Sequence, residues 1–359
     1  MTTKLRVVFD ASCATDSNIS LNNVLMVGPV VQTDLFSLIL RWRTHRYVII
    51  ADIEKMYRQI QIHPSDQCLQ RILWRNNPSE PIRIFELSTV TYGTSSAPYL
   101  ATRCLKELAN LGCQSHPLAA KVVSEDFYMD DLITGSNSVE TGKILCTQLI
   151  QLMDSARFPL RKWSSNSPDI LSHIPELLRD QRTELGLDPG ASIKTLGLKW
   201  EPASDCSGFH VPKWKQDICV SKRQVVSDSS SLFDPLGFIG PVIVVAELFV
   251  QELWRNKRSW DEPLEDELQQ CWLQFRSELV AIETMNVPRW VVPIFDPSSI
   301  ELHGFCDAFE RAYGTCIYLR AMSTSGELSV HLLTSKSKLA PLGNSKKQKR
   351  ICLPRLELS

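Results

Sequence analysis

Apolar residues recur along this chain with two different periods, and the places where the period changes divide it. In the first 165 residues four short runs, LRVVF, YVIIAD, RIFEL and DFYMDDLIT, are rich in Val, Ile, Phe and Tyr. Such residues suit the pleated, half-buried surface of a strand. Between the runs, TDLFSLILRWRTH, SAPYLATRCLKELAN and VETGKILCTQLIQLMDSA carry apolar residues at helical spacing. The mixture predicts an α+β domain with helices packed on one face of a small sheet. Residues 166–200 are rich in Ser, Pro and Asp and end in the strand-like IKTLGLKW. From 213 to 290 the pattern turns helical: Leu268, Trp272, Phe275 and Leu279 form one stripe of an amphipathic helix. FDPLGFIGP breaks that region, because Pro and Gly cannot continue a helix. From about 301, ELHGFCDA, YGTCIYLR and HLLTSKSKL predict three successive strands of a second α/β unit.

Composition narrows the function less than the pattern does. At 359 residues the chain can hold two or three domains, each with its own core. Lys plus Arg (39) nearly balances Asp plus Glu (40), so any nucleic-acid footprint must be local. The dense basic stretches are RWRTHR (Arg41, Arg43, Arg46) and KSKLAPLGNSKKQKR (Lys336 to Arg350). Either can be a solvated face, and the Lys and Arg of the second could supply salt-dependent phosphate contacts. Trp42, Trp163 and Trp214 lie near basic residues and could stack on bases, although core packing is the commoner fate of Trp. The eleven Cys form no CxxC pair, which favours reduced thiols in a cytosolic or nuclear setting. GFIGPVIVVAELFV is too short to span a bilayer and contains Glu247, so it reads as a buried helix. HExxH, GxxxxGK[ST] and GxSxG are all absent, which removes zinc-protease, P-loop and α/β-hydrolase chemistry. Neither end looks like a domain edge, and the chain is expected to be a piece of something longer.

One stretch calls for a chemical explanation. EDFYMDDLITG sets Asp130 beside Asp131 between strand-forming residues. In a straight strand the two carboxylates would point to opposite faces, whereas at a hairpin tip, with Tyr128 and Leu132–Ile133 as arms, both can reach one site. Like charges this close raise each other's pKa unless a cation neutralises them, and hard oxygen ligands suit Mg²⁺. A partner is available in YVIIADIEKMYRQI, where Asp52 ends an apolar strand and Tyr57 follows five residues later. Carboxylates from two adjacent strands can hold two Mg²⁺ roughly 3.5–4 Å apart, the clamp of in-line phosphoryl displacement.

This constellation resembles the reverse transcriptases. With KLRVVFDAS, SLNNVLMVGP, ADIEKMYRQI, LQRILWR, TYGTSSAPYLATRCL, RKWSSN, LGLKW and FDPLGFIGPV in order, nearly the whole chain resembles the polymerase of a Pao/BEL-type LTR retrotransposon. The resemblance implies that Asp52, Asp130 and Asp131 are the catalytic, Mg²⁺-binding carboxylates, with Asp131 the lesser ligand and Mn²⁺ a possible substitute. It implies that Tyr57 excludes a ribose 2′-hydroxyl, that Lys4 and Arg6 hold the incoming triphosphate, and that Gly93 lets backbone approach template and nucleotide. Tyr92 stands where retroviral enzymes carry Gln, which suggests stacking there. Lys162 resembles a basic residue near the departing pyrophosphate, and LGLKW a hairpin gripping the primer.

The implied architecture is a right-hand polymerase (fingers, palm, thumb) followed by a truncated RNase H-like α/β unit. Fingers and palm would occupy 1–165, the palm end with the primer-grip-like hairpin 166–212, a helical thumb or connection 213–300, and an incomplete RNase H-like domain 301–359. Asp307 matches the first-strand Asp of RNase H and Glu357 its first-helix Glu. A two-metal nuclease needs about four carboxylates, so ribonuclease activity is not expected of this chain. The expected partners are an RNA or DNA template with its primer, dNTPs and other retroelement polyprotein products, with no membrane, in a cytoplasmic particle or the nucleus. The alternative is an inactive retroelement remnant that at most binds nucleic acid.

Overall fold

The computed structural model describes residues 7–180, 193–212, 214 and 219–341. The chain divides into two compact units, Met1–Leu187 and Asp188–Ser359. The first unit runs on past residue 165 because the residues that follow pack back onto it. Ile170 and Ile174 join its core, and the Asp180 amide donates to the Trp163 carbonyl at 3.0 Å.

The first unit is built on four antiparallel strands, β1 (Tyr47–Ile53), β4 (Phe127–Tyr128), β5 (Asp131–Ser136) and β6 (Leu160–Ser165), in the order β4-β5-β1-β6. A separate two-stranded hairpin pairs β2 (Arg71–Trp74) with β3 (Arg83–Glu86). Helices α4 (Ala97–Gly112), α5 (Pro117–Glu125) and α6 (Val139–Ser155) supply Leu105, Ala119, Val123, Leu145 and Leu149 to a core with Ile49, Ala51 and Ile53 of β1 and Leu132 of β5. Strand alternation then assigns the faces. If Ile49, Ala51 and Ile53 face the helices, then Val48, Ile50 and Asp52 face the other way. α2 (Leu35–Thr44), capped by the Asp34 carboxylate on the Ser37 amide, packs on β5 and buries Leu38, Ile39 and Trp42.

LRVVF was expected to be a strand. Its last three residues, Val7 to Phe9, are irregular, since a strand without a neighbour has no ladder to hold it. Its remaining residues, with Lys4 and Arg6, lie outside the described residues.

In the second unit a meander of β7 (Ile193–Thr195), β8 (Leu198–Glu201) and β9 (Cys206–Gly208) is extended by β10 (Asn286–Pro288). Leu196 and Gly197, both at positive φ (49° and 80°), make the tight β7–β8 turn. That geometry matches the right-handed twist of the flanking strands. Arg289, fully buried, holds both carboxylate oxygens of Asp205 at 2.6 Å. Three helices, Lys222–Ser230, Gly240–Arg255 and Asp266–Glu278, lie in sequence between β9 and β10, and the Leu268/Trp272/Phe275/Leu279 stripe faces their apolar clusters as its spacing predicts. Helix Gly240–Arg255 is less buried than the apolar run suggested: Val245 and Trp254 remain half exposed. Among the described residues no helix is long and apolar enough to cross a membrane.

FDPLGFIGP forms a loop that docks on a strand. The Asp234 carboxylate accepts from the amides of Phe238 (2.9 Å) and Ile239 (2.7 Å), while the Leu236 carbonyl accepts from Ser335 and Thr334, each at 2.8 Å. Gly237 is required there, because a Cβ would lie 1.9 Å from the Ser335 carbonyl oxygen. Ser335 belongs to the last of three long antiparallel strands, β11 (Pro297–Ala308), β12 (Ala312–Ser323) and β13 (Leu328–Leu339), which match the three predicted after 301.

Candidate active site

β1, β5 and β6 converge on one end of the four-stranded sheet. Asp52 stands opposite Asp131 in the β1–β5 register, and alternation puts both on the face turned away from α4–α6. The hairpin is tighter than a tip holding both carboxylates. Tyr128 pairs with Asp131, so Met129 and Asp130 are the turn and Asp131 already begins β5. Asp130 is exposed at the tip. Met129 takes the left-handed conformation (φ 56°), which is uncommon for a side chain of its size. Two contacts hold it there: its amide donates to Gln32 Oε1 at 3.0 Å, and the Asp130 carbonyl accepts from the Ile53 amide at 2.8 Å.

Asp52 has one oxygen paired and one not. Oδ2 receives the Lys162 ammonium, while Oδ1 is buried without a hydrogen-bond partner. A buried carboxylate oxygen left this way is costly and marks a place where a cation or proton donor belongs. Burial raises the Asp131 carboxyl to about 6, helped by the charges of Asp130 and Asp52 and opposed by Lys162. Three carboxylates therefore act electrostatically on one another across two strands and a turn. Among the described residues no three His, Cys, Asp or Glu side chains form a ready cation cage. Mg²⁺ is ordinarily held by one or two carboxylates together with substrate phosphates. The orphan Oδ1, the facing carboxylates and the hard-oxygen donor set thus fit such an ion.

Tyr57 sits on a short turn, Met56–Gln59, that follows β1 through Lys55 (φ 52°). Burial raises its hydroxyl, and the Asp130 charge adds to the rise. Tyr92 and Gly93 make contacts that no local sequence feature announces. The Tyr92 hydroxyl donates to the Val7 carbonyl at 2.6 Å and its ring lies 5.3 Å from Phe9, while a Cβ on Gly93 (φ 91°) would meet the Phe9 carbonyl oxygen at 2.2 Å. Here Gly93 admits the chain's own backbone. Asn22 ties this loop down, accepting from the Ser95 amide (2.8 Å) and donating to the Gly93 carbonyl (3.1 Å).

Asn22 and Gln32 are positioning residues that sequence reasoning passed over. Each looks like an ordinary loop polar residue until its long-range partner is known. The basic stretch RWRTHR is largely structural: Arg41 binds the buried Asp126 carboxylate at 2.5 Å, Arg43 is buried, and Arg46 lies over the Tyr47 ring. Trp42 and Trp163 are core residues, and Trp214 lies under Arg276.

Asp307 is on β11, exposed, opposite Gly314, with its carboxylate accepting from the Ala308 amide. It lines a cavity of about 450 Å³ with Phe305, Tyr313, Pro241 and Lys336. Glu357 and most of the Lys336–Arg350 stretch lie outside the described residues.

Residues 221–359 match the family model of the Pao retrotransposon-like RNaseH-like domain. No curated protein sequence matches the chain. Among solved structures, the foamy viral protease-reverse transcriptase dRH in complex with double-stranded DNA is similar over 90% of this chain at 11% identity, with a TM-score of 0.54. The foamy viral protease-reverse transcriptase in complex with RNA/DNA hybrid is similar over 87%, also at 11% identity, with a TM-score of 0.51. The chain spans 48% and 36% of those two proteins. At this identity the likeness to the two solved proteins concerns the fold alone: a mixed α/β chain folded like part of a reverse transcriptase, whose residues 221–359 are similar to the Pao retrotransposon-like RNaseH-like domain.

Proposed function

We propose that the chain is the RNA-directed DNA polymerase region of a Pao/BEL-type retroelement, extending a primer on an RNA or DNA template. The observation that carries this reading is the cross-strand pair of Asp52 and Asp131, with Asp130 at the adjoining turn and a buried Asp52 oxygen that lacks a partner. The first unit then supplies fingers and palm, the β7–β8 hairpin the primer grip, the helices after it a thumb or connection, and β11–β13 the opening of an RNase H-like domain. Nucleic acid is the natural partner, since both similar solved proteins are complexes with it.

The reaction joins the primer 3′-oxygen to the α-phosphorus of a deoxynucleoside triphosphate as the bond to the pyrophosphate oxygen breaks. Asp52, Asp130 and Asp131 would hold two Mg²⁺ or Mn²⁺ ions. When bound, these supply positive charge that favours the 3′-alkoxide and the leaving pyrophosphate. The protein's own share is placement. Gln32 and Ile53 fix the hairpin so that its carboxylates stand at the end of β1. Tyr57, beside Asp130, closes the space a ribose 2′-hydroxyl would need, which is discrimination by exclusion. Lys162, at Asp52, is a donor for phosphate oxygens.

Primer extension on poly(rA)/oligo(dT) by the purified protein tests the proposal, with Asp130→Asn as the control. Extension lost in the variant supports it. Extension that survives the substitution, or its absence in a wild-type protein that binds hybrid normally, contradicts it and returns the reading to an inactive remnant.

A further inference from the structure

β6 breaks strand alternation at the point where it passes the carboxylates. Ile50 pairs with Ser164 but Asp52 pairs with Arg161, so Lys162 and Trp163 together stand opposite the single residue Ala51: β6 carries a bulge. Lys162 takes the left-handed conformation within it (φ 54°), where a bulge ordinarily prefers Gly. A regular strand starting from the buried Leu160 would send Arg161 outward, Lys162 into the core and Trp163 out to solvent. In the bulged strand Leu160 and Trp163 both reach the core, and Arg161 and Lys162 both stay on the outer face. Arg161 then meets Glu54 at 3.3 Å and Lys162 meets Asp52. The backbone accepts a disfavoured conformation in order to aim two consecutive cations at the carboxylate end of the sheet, and such strain persists only where surrounding structure imposes it.

From this geometry we infer that Lys162 is a resident counter-ion. It holds Asp52 opposite Asp131 while no divalent cation is bound, and it gives up its contact with Asp52 when one arrives, so that the ammonium is freed for phosphate. The inference rests on the nucleotidyl-transfer reading of the site but concerns a step before chemistry. Without a cation, facing carboxylates on β1 and β5 repel. Lys162 is the positively charged group in contact with that pair, and its side chain is exposed enough to swing away. Because it occupies only Oδ2, the orphan Oδ1 stays available to an incoming ion.

Two readouts that do not need activity test this. The first is Mn²⁺ affinity by electron paramagnetic resonance, without nucleotide, for wild type, Lys162→Gln, Lys162→Arg and Asp52→Asn. Removing a competing charge at this partly exposed site is expected to tighten Mn²⁺ binding in Lys162→Gln by about tenfold, while Lys162→Arg stays near wild type. The second is thermal unfolding in EDTA. Lys162→Gln should unfold at lower temperature than wild type, Mg²⁺ should restore it, and the loss should vanish when Asp52→Asn is also present. Unchanged or weaker Mn²⁺ binding in Lys162→Gln overturns the inference, as does a thermal cost that persists in the Asp52→Asn background. If Asp52→Asn binds Mn²⁺ as wild type does, it is the metal assignment of the site that fails. The thermal cycle then still decides whether Lys162 is the counter-ion of Asp52.

Discussion

Two antiparallel sheets in this protein each carry an aspartate on their first strand, and they treat it differently. In the first unit, β1 runs through the middle of its sheet with Val48, Ile49, Ile50 and Ala51 buried, and its Asp52 faces a second carboxylate across the ladder. In the second unit, β11 is an edge strand, exposed along nearly all its length, and its Asp307 faces Gly314. The residue type is the same, but Asp52 has a facing carboxylate, an ion-paired lysine, a buried unpartnered oxygen and a rigid floor beneath it. Company and confinement are what suit a carboxylate to a cation, and the sequence motif alone supplies neither.

The sharpest way to break this contrast is to neutralise both aspartates. Asp52→Asn is expected to lower primer extension by about a thousandfold or more, whereas Asp307→Asn should leave it within about twofold. Equal losses would mean that both sheets serve one reaction. The next contrast concerns the floor. Trp163 is fully buried beneath the site, and Trp163→Ala is expected to cost about 3–5 kcal/mol in urea unfolding. Phe305→Ala on the exposed β11 should change stability by no more than about 0.5 kcal/mol. A smaller effect follows at the loop that closes on the N-terminal segment: Gly93→Ala meets both a left-handed backbone and the Phe9 carbonyl, and should cost about 1–3 kcal/mol.

Much of the first contrast was legible in the sequence. YMDD between apolar arms specified a hairpin, and YVIIAD specified a strand that delivers its aspartate at the end; the register places the two side by side. The Leu268 stripe and the break at FDPLGFIGP were legible for the same reason, since periodicity and Pro/Gly chemistry are local. What was not legible depends on partners distant in the chain. No feature of Lys162 announces a bulge, because Lys is not a residue that prefers the left-handed region. Gln32 is 97 positions from the Met129 amide it braces. Arg41 sat in a basic stretch readable as a solvated face and proved to be the partner of a buried Asp126, a residue with no sequence mark of burial. Tyr92 and Gly93 matched a nucleotide-binding pattern, and their described contacts are with the chain's own Val7, Phe9 and Asn22.

The carboxylate end of the first sheet should also give stability a dependence on pH. Asp131 titrates from 3.8 when unfolded to about 6 when folded. Between those values the folded protein holds the extra proton, so stability falls as pH rises. The contribution is complete below about pH 4 and lost as pH passes about 6. Thermal unfolding in EDTA from pH 4 to 7 should show that slope. Asp131→Asn should flatten it, and saturating Mg²⁺ at pH 7 should recover the lost stability.

The central claim, that carboxylates of β1 and the β4–β5 hairpin share a cation, is tested most directly by anomalous diffraction from crystals grown with Mn²⁺, primer–template and a non-hydrolysable dNTP. The account predicts a manganese peak in contact with Asp52 Oδ1 and with an oxygen of Asp130 or Asp131, with the Lys162 ammonium moved off Asp52. Manganese bound elsewhere in the protein while Asp52 keeps its lysine and its empty Oδ1 would contradict it.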